Sequence, residues 1–167
     1  MKRLHKAGRH RNEDGSVAVE AAVILPLLLI FLTLPSIFLA FYFRQYSATQ
    51  KAVHDAALYL STAPRAEMTT AGPDGNFAAI TMAKKIIARE LAGVIPSGQI
   101  VSPEIYCKYR LGSGTPTRGC TITYTKNPDY TLHEFDVGVA FNYINPITGS
   151  ETSILIAPYA AVRYVGN

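Results

Sequence analysis

Asp14-Gly15-Ser16-Val17-Ala18-Val19-Glu20-Ala21-Ala22-Val23-Ile24-Leu25-Pro26 opens an apolar run that continues to Phe43 without a charge after Glu20. As a helix rising about 1.5 Å per residue, residues 21–43 are long enough to cross a hydrocarbon core of about 30 Å with some tilt. The run reads as a membrane span. A cleaved secretory signal has a shorter apolar region, about 7–15 residues, closed by a small-residue cleavage motif. Here the run is longer, lacks a clear A-x-A site and begins at a carboxylate. A buried core helix fits no better, because the rest of this small chain cannot surround a helix that is apolar on every face.

Pro26 and Pro35 lie inside the span, where each removes a backbone hydrogen bond and favours a kink. Neighbouring helices and the side chains of Thr33 and Ser36 can satisfy the carbonyls freed in this way. Lys2, Arg3, Lys6, Arg9 and Arg11 precede the span, whereas only Arg44 and Lys51 follow it closely. That asymmetry places the N-terminus in the cytoplasm and everything beyond about Tyr46 across the membrane.

The 167 residues have room for one span and one small domain. Most of the formal net charge of +4 arises in the leader, since eleven of the 16 basic and ten of the 12 acidic residues lie beyond Gly15 and nearly cancel. The basic excess is therefore a topology signal and an attraction to anionic lipid, with no nucleic-acid partner implied. Cys107 and Cys120 both fall in the part assigned outside the cytoplasm, a compartment that permits a disulfide. The stretch between them is a flexible Gly- and Ser-containing turn joining two strand-like runs, so a bridge across a hairpin is easy; two free buried thiols are the alternative.

A short basic leader ending in Gly15, then Ser16, then Glu20 at the head of a long apolar helix, resembles the processing site of type IV pilin-like proteins. With Val19-Glu20 and Leu25-Pro26 at this spacing, residues 14–60 resemble the TadE-like family of the tight-adherence (Flp-type) pilus and secretion machinery. Many members of that family, and the related major Flp pilins, carry an aromatic residue just after the Glu, where this chain has Ala21.

The resemblance implies cleavage after Gly15 by a prepilin peptidase, with Ser16 as the new N-terminus. Gly15 lacks a Cβ and admits the extended backbone a protease cleft requires. Ser16 is suited to cap a helix beginning near Val17. Glu20 needs a partner in a bilayer or a packed helical bundle, and the α-amino group freed at Ser16 of a neighbouring subunit would set the axial register between helices. The competing placement has Glu20 at the cytoplasmic interface among water and lipid head groups.

Beyond the membrane, Phe41, Tyr42 and Tyr46 fit an interfacial aromatic belt, and Val53, Ala56, Ala57 and Leu60 continue one apolar stripe. Arg44, Gln45, Gln50, Lys51 and His54 fall mostly elsewhere around this helix, which should end before Pro64. Residues 65–76 read as a polar linker with a Gly72-Pro73-Asp74-Gly75 turn. A second helix spans 77–92, carrying Phe77, Ile80, Ala83, Ile87 and Leu91 on one side.

Strand-like runs follow at 105–109, 120–124, 135–143 and 153–165, the third alternating Val137, Val139, Phe141 and Tyr143 on one face. Pro158 should break the last or confine it to an edge. Tyr106, Tyr109, Tyr124, Tyr130, Tyr143, Tyr159 and Tyr164 read mostly as half-buried sheet residues, any exposed subset making a subunit-contact surface.

No phosphate loop, nucleophile elbow, zinc-type cysteine cluster or His-Glu-x-x-His helix occurs. His133 on a strand faces away from Glu134 and Asp136, which leaves no metal site there. No catalytic residue, cofactor or metal is expected.

The predicted fold is α+β: a long N-terminal transmembrane helix extending out of the membrane, a second helix, then a small antiparallel sheet. Its parts are a cytoplasmic leader (1–15), the transmembrane helix with its amphipathic extension (16–63), a linker (64–76) and a small extracytoplasmic domain (77–167). The expected role is that of a minor pseudopilin or assembly protein, single-pass in the cytoplasmic membrane. Its expected partners are the peptidase, other pilin or pseudopilin subunits, the assembly platform and membrane lipid. The rival is a permanently anchored single-span protein whose outer domain binds a ligand or tethers a partner complex.

Overall fold

A computed structural model describes residues 11–73, 75–95, 101–112, 117, 118, 120 and 129–166. Helix α1 covers Arg11–Thr62, with Pro26 and Pro35 inside it. Two short segments and a sheet region follow: α2 (Arg65–Thr69), α3 (Ala78–Leu91), β1 (Pro103–Leu111), β2 (Thr117–Arg118), β3 (Tyr130–Val139), β4 (Phe141–Ile144), β5 (Glu151–Ile156) and β6 (Tyr159–Arg163). The chain is α+β, with one candidate membrane span among the described residues. The chain divides into two compact units, Met1–Ala40 and Phe41–Asn167.

In the first unit the apolar side chains of the run are exposed from Val17 onward. The most apolar 18-residue window of α1 has mean hydropathy 2.6, and none of it is buried within the chain. Such a surface is stable only against lipid or other helices. The hydroxyls of Thr33 and Ser36 bond the carbonyls of Leu29 and Leu32, each at 2.8 Å. The carbonyls that Pro26 and Pro35 free are those four residues earlier, at Ala22 and Phe31. Each hydroxyl instead bonds the carbonyl four residues before itself, so it stays off the lipid surface without repairing the proline sites.

In the second unit the outer half of α1 forms one wall of the core. Ala52, Val53, Ala56, Ala57 and Leu60 are buried in one cluster with Phe77, Ala79, Ile80, Ala83, Ile87 and Leu91. The pattern i, i+3, i+4, i+7 turns these side chains to one face, as the sequence implied. Cys107, Tyr109, Phe135, Val137 and Val139 close the cluster from the sheet.

Helix α1 stops at Thr62, before Pro64. The C-terminal tail serves its last carbonyls: Val165 N–H donates to Ser61 O at 2.9 Å, and the Tyr164 hydroxyl donates to Ala63 O at 3.1 Å. Within the 64–76 segment, read as a linker, α2 buries Met68 in the core. The turn after it closes with Gly75 N–H on Gly72 O at 3.1 Å, and Gly75 takes φ +77°, a region open to glycine.

The main sheet is antiparallel, in the order β2-β1-β3-β6, and β4 pairs with β5 in a separate two-stranded sheet. This corrects the single strand expected over 135–143. Its alternation persists in sequence, but the strand ends at Val139 and β4 leaves for the second sheet after Ala140. Pro158 does break the last run, separating β5 from β6, and β6 lies at an edge of the main sheet. The run expected at 120–124 lies outside the described residues, apart from Cys120.

Gln45 is a further correction to the polar face assigned to α1. It is only 2% exposed. Its Nε2 donates to Ile144 O at 2.6 Å, and its Oε1 accepts from Ile144 N–H at 3.3 Å. A primary amide matches a backbone peptide in both directions, so this side chain fixes β4 to the helix and satisfies all the groups involved.

Candidate functional site

Two surfaces stand out as candidates for function. One is the head of the apolar run, the other the sheet face turned away from the core. Gly15 and Ser16 lie within α1, which begins at Arg11. Glycine costs about 1 kcal/mol relative to alanine inside a helix, so the backbone at Gly15 is easier to open than its neighbours. Glu20 is exposed at the head of the apolar run, and among the described residues it forms no ion pair.

The second surface is built by strand register. Lys108 sits opposite Glu134, Tyr106 opposite Asp136, and Asp136 opposite Ala161. Alternation puts Glu104, Tyr106, Lys108, Glu134, Asp136 and Tyr159 on the outer side. The Lys108 ammonium is 2.8 Å from Glu134 Oε1 and 2.8 Å from Asp136 Oδ2. Tyr159 donates its hydroxyl to Asp136 Oδ1, and Tyr106 donates to Glu104 Oε2 at 3.0 Å. Tyr106 and Tyr159 are the exposed tyrosines of this face. Together with Gly138 they border a shallow depression of about 310 Å³. Tyr109 and Tyr143 are buried, Tyr130 and Tyr164 half-buried, and Tyr124 lies outside the described residues.

Burial pushes the Asp136 carboxyl upward, but hydrogen bonds from Lys108 and Tyr159 outweigh it and hold the group below the usual carboxylate range. The same bonds, from Asp136 first and Glu134 second, raise the Lys108 ammonium above its ordinary value. A carboxyl depressed in the folded state contributes stability that is present above its unfolded value of 3.8 and is lost as pH falls through the folded one. Asp136→Asn is thus expected to lower stability at pH 7 and to flatten the decline below pH 4. Thermal melts of the full chain in detergent from pH 7 to pH 2.5 check this. Parallel curves for the two proteins would contradict it.

The sequence placed Glu134 and Asp136 on one face but missed Lys108 between them. The register with β1 supplies it, and alternation within a single strand carries no such information. A bulge between Lys108 and Tyr109 leaves His133 without a Cα partner on β1, and its carbonyl accepts from Tyr164 N–H at 3.0 Å.

Cys107 and Cys120 form a disulfide with Cα atoms 4.9 Å apart. Cys107 belongs to the buried cluster, so the bridge ties the far side of the β1 turn to the inner face of the sheet.

A family model described as TadE-like protein matches residues 15–58. The chain carries a TadE-like segment. That segment starts at Gly15, contains Glu20 and the whole apolar run, and ends in the amphipathic part of α1. No curated protein and no solved structure matches the chain. The domain beyond the TadE-like segment is thus described by its own geometry alone.

Proposed function

We propose that this chain is a minor pseudopilin or membrane-anchored assembly protein of a tight-adherence pilus or related secretion system, cleaved after Gly15 by a prepilin peptidase. The observation that carries the proposal is the TadE-like match beginning at Gly15 on a helix whose most apolar 18-residue window is unburied within the chain. The N-terminus faces the cytoplasm, and the outer domain lies across the membrane.

Cleavage would require Gly15 to leave the helix, and there the backbone is least costly to open. It would free an α-amino group at Ser16. A neighbouring subunit's Glu20 is the natural counter-charge, since both charges are costly in an apolar bundle when unpaired. Pairing them fixes one axial offset between adjacent helices. Pro26 and Pro35 provide the bends that let long helices pack around a common axis. The outer face, with its exposed tyrosines and neutralised charges, supplies contacts outside the membrane.

Deleting this protein from cells that carry the system is expected to abolish or sharply reduce surface pili, with recovery when the full chain is restored. Shearing the cells and quantifying the released major pilin reads this directly. Unchanged piliation in the deletion strain would contradict the proposal.

A further inference from the structure

The β4–β5 sheet carries an exposed apolar surface that the core does not use. Ile147 in its turn is 77% exposed, Leu155 59% and Ile154 42%. No charged residue occurs between Asp136 and Glu151, and none between Glu151 and Arg163. A single exposed isoleucine carries little meaning by itself. Its position in the domain supplies the meaning.

The end of β6 lies beside the end of α1, where Val165 N–H bonds Ser61 O. Strand β3 is antiparallel to β6, so from His133 onward the chain descends along the helix towards its earlier residues. It arrives beside Gln45, which grips both backbone groups of Ile144, and beside Tyr42, whose ring meets that of Tyr143 edge-on at 5.8 Å. Gln45 is two residues past the end of the uncharged run at Phe43, about 3 Å along a helix. The turn Asn145-Pro146-Ile147-Thr148-Gly149-Ser150 therefore lies at the end of the domain nearest the membrane boundary.

The turn is also well bonded internally. Asn145 N–H donates to Ser150 O at 2.9 Å, Gly149 N–H to Asn145 O at 2.8 Å, and Ile147 N–H to Asn145 Oδ1 at 2.9 Å. Gly149 takes φ +68°, the conformation that closes the loop. A loop that satisfies its own backbone N–H groups and carries no charge loses less on leaving water for the head-group layer than one with free donors. Tyr42 and Tyr46, stacked at 6.3 Å on the adjacent helix, belong to the residue type that collects at that level.

We infer that the β4–β5 turn is a second membrane contact, with Ile147 inserted into the interfacial layer of the bilayer that α1 crosses. The inference rests on the membrane-span reading of residues 21–43. Its partner is lipid, and the bond is apolar burial without head-group recognition.

Cysteine variants Ile147→Cys, Leu28→Cys and Thr131→Cys, each labelled with an environment-sensitive fluorophore in the full chain, test it. Both native cysteines are in the disulfide and leave the label a single site. The chains are reconstituted into phosphatidylcholine–phosphatidylglycerol vesicles, dilute enough that most vesicles hold one copy. The label at 147 should be blue-shifted, quenched by a nitroxide high on the acyl chain, and several-fold less accessible to aqueous iodide than the label at 131. The label at 28 should respond to a deep nitroxide.

Iodide access at 147 equal to that at 131, with 28 still in lipid, would overturn the hairpin contact and spare the span. Aqueous behaviour at both 147 and 28 would overturn the span reading and the hairpin contact together. Shielding at 147 that appears only at high copy number would also overturn it, because a neighbouring chain would then be the cover.

Discussion

Glu20→Val is expected to leave insertion of the chain into the membrane intact and to cut its incorporation into the pilus complex by ten-fold or more. Insertion should survive because valine lengthens the apolar run and removes a carboxylate from its head. Assembly should fail because the α-amino group of Ser16 in the adjacent subunit would be left unpaired in an apolar bundle. Removing one partner of a buried ion pair typically costs about 3–5 kcal/mol, and about 1.4 kcal/mol is already ten-fold in an equilibrium. Glu20→Gln should behave similarly, keeping the shape but not the charge. Fractionation of membranes and co-purification with the other pilus subunits, measured side by side, separate the two effects. Normal assembly of Glu20→Val would remove the register role.

The second large effect is expected from the disulfide. Cys107→Ser with Cys120→Ser should destabilise the outer domain by about 3 kcal/mol, the chain-entropy value for a loop of this length. The two cysteines are 13 positions apart. For a domain of roughly 100 residues, each 1 kcal/mol shifts the melting temperature by about 4–8 °C, so a loss of more than about 10 °C is expected. Reduction of the wild-type chain should reproduce the shift without any substitution. Loss of the covalent tie also places a serine hydroxyl at position 107, where the cysteine is fully buried. A melt unchanged by reduction or by the double substitution would show that the bridge adds nothing to stability.

The sequence was most informative where one element decides its own structure. The span, the end of α1 before Pro64 and the α3 helix follow from hydropathy, period and proline alone. The break at Pro158 belongs with them, because a residue without an N–H cannot continue the ladder. Where two elements decide jointly, the sequence was silent or misleading.

The division between β3 and β4 is invisible in an alternation that runs unbroken through Ala140, because the change of sheet is imposed by β5 and by Gln45. Gln45 itself reads as a surface residue until a strand end is placed opposite its amide. Lys108 gains its role only from register with β3, and the burial of Met68 in α2 only from a core assembled elsewhere. At the candidate processing site, the motif locates Gly15 and Ser16, and α1 runs through both.

The measurement that tests the central claim most directly is the intact mass and N-terminal sequence of the protein isolated from membranes, with and without the prepilin peptidase of the same cells. A chain beginning at Ser16 when the peptidase is present, and retaining the leader when it is absent, is the predicted result. A chain that keeps Met1 or Lys2 at its start in both samples would contradict pseudopilin processing and leave a permanently anchored protein.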